Sequence, residues 1–390
     1  MVGREDEMEK LLDLLIEGDP RLATISIVGE EGLGKTTLAA EAYNSVYVKN
    51  YFDCRAWVHV SSKSTEEELL DAIRKSVVQF AETIGSIYEH LTGRKFLIVF
   101  DNASETYLPG KVKGAFPDDV NGSRLLLTTT AKWMAHEAQP SLPLALSALN
   151  IEQSWEMLVN MVFEQNNCPV ELKDLGISLV KKCHGFPLAI LLLGSLLSKK
   201  EKKSSMWSKV ERFLPGSRDD SNWQFFKMML FSYNNLPDYL KPCLLYFAIF
   251  PEDSKVSTRQ LFQLWIAEGF IHENFEATAE VYLDELIDRG FIQVLKRRSD
   301  GRVKTCKIHD LVLEFIAGKA SRDRFVQNQE LHHEELKCRR LTIHVDLSEI
   351  ISLNYFSPNL HSFVCLLQKN RILPETVVKI SVKDSNYLGS

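Results

Sequence analysis

Residues 24–42 read TISIVGEEGLGKTTLAAEA. An apolar β-type run leads into a glycine loop with the spacing GxxxxGK[ST], and a helix-forming run follows the loop. Gly29, Gly32 and Gly34 let backbone N–H groups turn toward a phosphate, and the N-terminal end of the following helix favours negative charge. The stretch therefore predicts a strand, a phosphate-binding loop (P-loop) and a helix, all within an α/β domain.

The side chains of this loop predict a nucleotide and Mg²⁺ as its ligands. Lys35 has the position that reaches the β- and γ-phosphates, and Thr36 has the hydroxyl that holds Mg²⁺. Leu33 and Thr37 complete the stretch that we expect to contact ADP or ATP. The alternative, a glycine turn with an exposed lysine, does not explain why a strand and a helix flank the loop.

A second element fits the same site. Residues 96–100 read FLIVF and end in Asp101. A continuous apolar run is typical of a strand that is buried on both faces, and a carboxylate at the C-terminal end of such a strand lies beside the ligand. Asp101 is therefore our candidate for Mg²⁺ coordination, either direct or through water. Further β-type runs at 56–60, 124–128 and 142–146 complete a predicted five-stranded parallel sheet.

The chain beyond residue 147 follows a different pattern. Amphipathic helical segments replace the strands, and from Trp223 a second helical block extends to about Ile287. Two β-type runs, 291–295 and 303–307, then flank the turn residues SDG at 299–301, which is a hairpin signal. Helices followed by a two-stranded hairpin indicate a winged-helix domain.

Composition limits the class of protein. The 390 residues are 45% apolar and carry a net charge of -6, so the chain can bury several cores and has no overall attraction to DNA or anionic lipid. The longest apolar run, 186–197, is too short to span a bilayer. The charged N-terminus does not suit a signal peptide, and the seven cysteines are scattered singly. These features favour a cytoplasmic protein without a membrane span.

The order of the motifs resembles the NB-ARC module of plant nucleotide-binding leucine-rich-repeat (NLR) disease-resistance proteins. The resemblance extends from residue 2 to residue 318. Besides the P-loop and the Asp101 strand, the motifs that carry it are VGRE (2–5), FDCRAWVHVS (52–61), GSRLLLTT (122–129), CHGFPLA (183–189), LKPCLLYFAIFPED (240–253) and IHD (308–310).

The resemblance implies a switch with an ADP-bound off state, closed by the winged-helix domain, and an ATP-bound on state. It also implies nucleotide contacts outside the P-loop. Val2, Gly3 and Arg4 would lie near the adenine edge, Pro187 with Leu188 would pack against the base, and His309 would reach the β-phosphate. A neutral or a protonated imidazole of His309 could donate to that phosphate.

Two departures from the family pattern concern the γ-phosphate. The second of the two acidic residues that usually follow the apolar strand is Asn102 here, and an amide cannot supply general-base help, which is typically about 10² to 10⁴-fold. The arginine that usually closes the Thr-Thr-Arg motif is replaced by Thr130, which lacks a cationic fork, although Lys132 could compensate in part. We therefore expect ADP binding to be retained and hydrolysis to be very slow or absent.

The domain boundaries that we predict are 1–147 for the P-loop domain, 148–215 for a helical domain (ARC1) and 216–318 for the winged-helix domain (ARC2). Residues 319–390 would form a linker and the start of a leucine-rich-repeat-like region, because RRLTI (339–343) and LHSFVCL (360–366) resemble the approach to such repeats. We expect an NB-ARC module truncated at both ends, since the sequence begins at its first motif and no repeat period follows.

The interpretation that we favour is an ADP/ATP-binding molecular switch of plant innate immunity. Its partners would be the nucleotide and other NLR or signalling proteins, and self-association is one form of such contact. The alternatives are a truncated NLR regulator or decoy with an idle site, and a working P-loop ATPase. A nucleotide-gated DNA binder that uses Lys296, Arg297, Arg298 and Arg302 ranks last because the chain is acidic.

Overall fold

The computed structural model describes residues 3–60, 65–77, 86–103, 113–131, 141–163, 167–214, 221–252, 254–323, 325–329, 340–344, 362–366 and 377–381. Val2, Lys132 and Asp253, which the sequence analysis singled out, lie outside these ranges. The chain folds into two compact units, Met1–Ile190 and Leu191–Ser390.

The first unit contains the predicted five-stranded parallel sheet, which is thereby confirmed. The strand order is β2-β3-β4-β1-β5, so the strand that precedes the P-loop lies inside the sheet between two neighbours. The strands are β1 (Ala23–Val28), β2 (Cys54–His59), β3 (Phe96–Asp101), β4 (Arg124–Thr129) and β5 (Ser141–Ala145).

Helices cover this sheet and continue the chain beyond it. Local signals set some of their ends: Asn150 and Gln153 exchange side-chain and backbone hydrogen bonds of 3.0 and 2.8 Å, a capping box that starts the sixth helix. The helices are α1 (Glu5–Ile16), α2 (Lys35–Asn44), α3 (Val46–Tyr51), α4 (Glu66–Val77), α5 (Ile87–Leu91), α6 (Ile151–Val162), α7 (Val170–Lys181) and α8 (Pro187–Ser198), with a 3-10 turn at Lys113–Ala115.

The burial of strand β3 on both faces explains why residues 96–100 are all apolar. All six of its residues are buried. Phe96, Ile98 and Phe100 face one hydrophobic cluster, whereas Leu97 and Val99 face the other. Because both faces of the strand are covered, alternation of polar and apolar residues is absent, as the sequence pattern predicts for a parallel sheet.

The second unit contains helices and the predicted hairpin. Strands β7 and β8 pair antiparallel, and a two-residue strand that the sequence did not reveal, β6, pairs with β8 to give the order β6-β8-β7. The elements are α9 (Ser204–Phe213), α10 (Ser221–Asn234), α11 (Leu240–Leu245), a 3-10 turn (Tyr246–Ile249), β6 (Val256–Ser257), α12 (Thr258–Ala267), α13 (Phe275–Asp288), β7 (Ile292–Arg297), β8 (Val303–Ile308) and α14 (Asp310–Arg322).

A four-stranded sheet follows the winged-helix elements. Its strand order is β12-β11-β10-β9. Strands β9, β10 and β11 run parallel to one another, and β12 is antiparallel to β11. The two segments that resemble the approach to leucine-rich repeats contribute β10 and β11. The strands are β9 (Gln327–Gln329), β10 (Arg340–His344), β11 (Ser362–Leu366) and β12 (Val377–Ser381).

Membrane crossing finds no support in the described part of the chain. None of its helices combines the length and the apolar character that a bilayer span requires.

The turn between α7 and α8 is tied to the segment that precedes α6. Gly185 has φ +72°, and its carbonyl oxygen accepts a hydrogen bond of 2.9 Å from the Leu149 amide. A Cβ atom at Gly185 would lie 2.1 Å from the carbonyl oxygen of Leu149. Only glycine fits this position, because a side chain would both strain the backbone and collide with a neighbouring chain segment.

We expect Gly185→Ala to destabilise the protein strongly. The cost combines the strained φ, about 1–2 kcal/mol, with displacement of the Leu149 segment, for a total of about 3 kcal/mol or more. Gly93→Ala is the matched control, since Gly93 has φ +74° but no atom lies within 4 Å of an added Cβ. Urea unfolding followed by tryptophan fluorescence measures both, and equal midpoints for the two variants would contradict the close approach.

Candidate nucleotide-binding site

The P-loop occupies the C-terminal end of β1, as predicted. It runs from Gly29 to Gly34, and Lys35 is the first residue of α2. The Gly29 amide donates to the carbonyl oxygen of Thr129 at 3.2 Å, which fastens the start of the loop to the end of β4. In an open α/β sheet this edge, beyond the carboxyl ends of the strands, is where ligands bind.

Lys35 holds its ammonium group over the backbone of its own loop. The Nζ atom donates to the carbonyl oxygens of Gly29 and Glu30, at 2.8 Å in each case. Burial lowers the pKa of Lys35, while the nearby carboxylates of Glu31, Asp101 and Glu30 oppose that shift by favouring the charged form. The loop therefore places a cation beside the backbone that would surround a phosphate.

Asp101 is the centre of a buried hydrogen-bond cluster. Thr36 Oγ1 and Thr128 Oγ1 donate to its Oδ1 atom at 2.7 and 2.5 Å, and His59 Nδ1 lies 3.1 Å from Oδ2. The residue is 1% exposed. Burial by itself raises the pKa of Asp101, but the contacts from His59, Thr128 and Thr36 outweigh it and hold the pKa below its ordinary value. The carboxylate is therefore ionised at neutral pH.

These groups fit Mg²⁺. The Thr36 hydroxyl and the Asp101 carboxylate are hard oxygen donors only 2.7 Å apart. Mg²⁺ is usually bound by one or two carboxylates together with substrate phosphates and water, not by a cage of protein ligands. The described residues contain no cluster of three or more His, Cys, Asp or Glu side chains that could hold a metal alone.

His59 and Thr128 are members of this cluster that the sequence did not identify. They follow from the pairing of the strands: His59 of β2 is the register partner of Asp101, and β4 flanks β3 on the other side. Carboxyl ends of neighbouring parallel strands meet at one edge of a sheet. A knowledge of the strand order would therefore have pointed to both residues.

The two unusual residues of the site lie at the same edge. Asn102 follows β3 with φ +63°, and its backbone N–H donates to Thr128 Oγ1 at 2.9 Å. Asparagine tolerates this left-handed conformation better than most residues. Thr130 follows β4, and both side chains are exposed. The edge therefore presents an amide and a hydroxyl where the family pattern has an acid and an arginine.

Arg4 connects the N-terminal motif to the P-loop. Its Nη2 atom donates to the carbonyl oxygens of Ser147 at 2.6 Å and Leu33 at 3.4 Å, and its Nη1 atom donates to Glu7 at 2.9 Å. The residue is 3% exposed. The guanidinium is thus engaged by protein acceptors and links the P-loop at Leu33 to Ser147.

Gly3 and the Gly185 turn meet at Leu149. A Cβ atom at Gly3 would lie 3.3 Å from Leu149 Cδ2 and 3.0 Å from Gln153 Cβ. The backbone N–H of Leu149 also donates a hydrogen bond to the Gly185 carbonyl oxygen. Pro187 is the first residue of α8, two positions after that turn, and Leu188 is 6% exposed. The structure therefore brings the N-terminal motif and the Gly-Phe-Pro-Leu motif to a common neighbour.

His309, in the second unit, is the N-cap residue of α14. Its Nδ1 atom accepts a hydrogen bond of 3.3 Å from the amide of Leu311. A ring nitrogen that accepts a hydrogen bond carries no proton, so the cap favours the neutral imidazole with its proton on Nε2.

Comparison with known proteins is consistent with the motif order. The NB-ARC domain family matches residues 4–168, and the disease resistance protein winged-helix domain matches residues 249–316. In structure, the chain is similar to a STAND (signal transduction ATPase with numerous domains) protein with a tetratricopeptide-repeat sensor from Pyrococcus horikoshii. The TM-score is 0.52 at 17% identity, over 81% of this chain and 43% of that one. That likeness supports the fold alone.

Two plant proteins illustrate the sequence relationship. The chain is 33% identical to putative disease resistance RPP13-like protein 3 of Arabidopsis thaliana, over 88% of this chain and 43% of the relative. It is 36% identical to late blight resistance protein R1-A of Solanum demissum, over 84% of this chain and 26% of the relative. The chain spans less than half the length of these relatives. With its NB-ARC nucleotide-binding domain and its winged-helix domain, it belongs to the NB-ARC family of plant NLR disease-resistance proteins.

Proposed function

We propose that this chain is the nucleotide-dependent switch of a plant immune receptor: it holds ADP at rest and exchanges it for ATP on activation. The observation that carries the proposal is the hydrogen bond of 2.7 Å between Thr36 and Asp101, which joins the residue that follows Lys35 of the P-loop motif to the last residue of β3. Such a junction serves phosphate and Mg²⁺ binding. We place this function in the cytoplasm, with other NLR or signalling proteins as partners.

The diphosphate would be held by the loop and the helix that follows it. Backbone N–H groups of the loop and the dipole of α2 favour phosphate oxygens. Lys35 would exchange its bonds to the Gly29 and Glu30 carbonyls for bonds to phosphate, and Thr36 with Asp101 would hold Mg²⁺. When bound, Mg²⁺ neutralises negative charge on the phosphate oxygens.

Contacts from outside the loop would make the affinity for the nucleotide depend on the conformation of the protein. Val2 and Gly3 would contact the adenine edge, and Pro187 and Leu188 would pack against the base. His309 would donate its Nε2–H to the β-phosphate. Because these residues come from three predicted domains, a nucleotide that binds one arrangement more tightly shifts the population toward that arrangement, and no turnover is required.

Asn102 and Thr130 favour a switch over a working ATPase. Neither residue can accept a proton or present a cation to the γ-phosphate. An idle site, as in a decoy, would not require a buried carboxylate with three protein contacts. Binding of DNA by the wing receives little support, because Arg297 donates to the Gly301 carbonyl oxygen at 2.8 Å and Arg302 lies 3.6 Å from Glu280.

The nucleotide that the purified protein carries is the first test. We expect near-stoichiometric ADP when the wild type is denatured and its released nucleotide is identified by chromatography. Lys35→Ala should carry almost none, because the phosphates lose their cation. Lys49→Ala, which changes an exposed lysine of α3, is the matched control and should carry as much as the wild type. A wild type that is empty and does not bind added ADP would refute the proposal.

Hydrolysis should respond to the residue at position 102. We expect the wild type and Asn102→Ala to share a barely detectable single-turnover rate, since neither side chain can act as a base. Asn102→Asp combined with Thr130→Arg should raise that rate by about 10²-fold or more. Release of ³²P-phosphate in single-turnover assays with Mg²⁺ measures the difference. If the wild type hydrolysed ATP at a readily measurable rate that the double variant did not exceed, the ATPase alternative would be favoured.

His59 should matter only when Mg²⁺ is present. Replacement by alanine removes one contact from Asp101, and a hydrogen bond contributes about 1 kcal/mol, so ADP affinity in Mg²⁺ should fall about fivefold. Affinity in EDTA should not change, and His59→Asn should recover part of the loss. His272→Ala, at an exposed histidine of the second unit, is the control. Equal losses with and without Mg²⁺, measured by calorimetry, would assign His59 a purely structural role.

A further inference from the structure

The P-loop carries two acidic residues that phosphate binding does not explain. Glu30 and Glu31 directly follow Gly29, at the point where the loop leaves β1. Both side chains are exposed, so they contribute nothing to a buried core. A loop that binds anions gains nothing from two carboxylates of its own.

Their position places them beside the cation of the loop. The carbonyl oxygen of Glu30 is 2.8 Å from Lys35 Nζ, so the backbone that carries these carboxylates is the backbone that Lys35 spans. Burial is the main influence on the pKa of Lys35 and lowers it. Among the carboxylates that counter it, Glu31 has the largest effect, ahead of Asp101 and Glu30.

Among the described protein side chains around the loop, the balance of charge is therefore negative. Lys35 supplies one positive charge, and Glu30, Glu31 and Asp101 supply three negative charges. The guanidinium of Arg4 is held by Glu7 and by two backbone carbonyls, so it does not offset them. Thr130 brings no charge to the edge where the family pattern has arginine.

ATP brings one more negative charge to this loop than ADP, and that charge lies on the γ-phosphate. We propose that Glu30 and Glu31 make the P-loop selective for the diphosphate, by repelling the additional charge of ATP. The inference rests on the proposed function and assigns to these two residues the preference for the resting nucleotide. In water, a charge about 7 Å from the γ-phosphate would change the equilibrium by a factor of about two to three, so both carboxylates together should contribute about fivefold.

The test compares the affinities of ADP and of a non-hydrolysable ATP analogue in the presence of Mg²⁺. In the Glu30→Gln/Glu31→Gln variant, the affinity for the analogue relative to ADP should rise about fivefold at low salt. The gain should shrink at high salt, since the carboxylates are exposed and screened. Isothermal titration calorimetry gives both affinities, and the single variant Glu31→Gln should show the larger share.

The matched control is Glu9→Gln/Glu17→Gln, which removes the same charge from exposed positions of α1 and at its C-terminal end. Its relative affinity should equal that of the wild type. If the loop variants bind ADP but keep the wild-type ratio at both salt concentrations, the inference is overturned while the proposed function stands. If the wild type binds neither nucleotide, the proposed function itself fails.

Discussion

The carboxylate of Asp101 is the point on which the first unit depends. It accepts hydrogen bonds from Thr36 at the start of α2 and from Thr128 at the end of β4, and it contacts His59 at the end of β2. One buried charge thereby joins the P-loop helix to three neighbouring strands. Burial of a charge is costly unless it is well paired, so these partners and the carboxylate require one another.

The same arrangement suggests how nucleotide binding and conformation are linked. A ligand that recruits Thr36 and Asp101 competes for groups that the protein already uses to hold its own sheet and helix together. Arg4 adds a second link, since it bonds the carbonyl oxygens of Leu33 and Ser147. In the proposed switch, a change in the loop would therefore reach both the strand edges and the N-terminal motif through these contacts.

The P-loop, Asp101, the five parallel strands and the hairpin could be predicted from the sequence, because each depends on a local pattern. His59 and Thr128 could not, since their contact with Asp101 depends on which strands are neighbours in the sheet. The role of Arg4 as a donor to backbone carbonyls depends on segments 143 positions apart. The two-residue strand β6 is too short to leave a pattern. Tertiary pairing, and not local propensity, decides each of these features.

His309 shows what double use of one side chain means for genetics. Its Nδ1 atom caps α14 by accepting a hydrogen bond from the Leu311 amide, and in the proposed switch its other nitrogen would donate to the nucleotide. Replacement by alanine removes both, and a phenotype would then mix a frayed helix with a lost ligand contact. Serine or aspartate can cap a helix without an imidazole donor. Variants with such residues at position 309 would separate the loss of the helix cap from the loss of the proposed ligand contact.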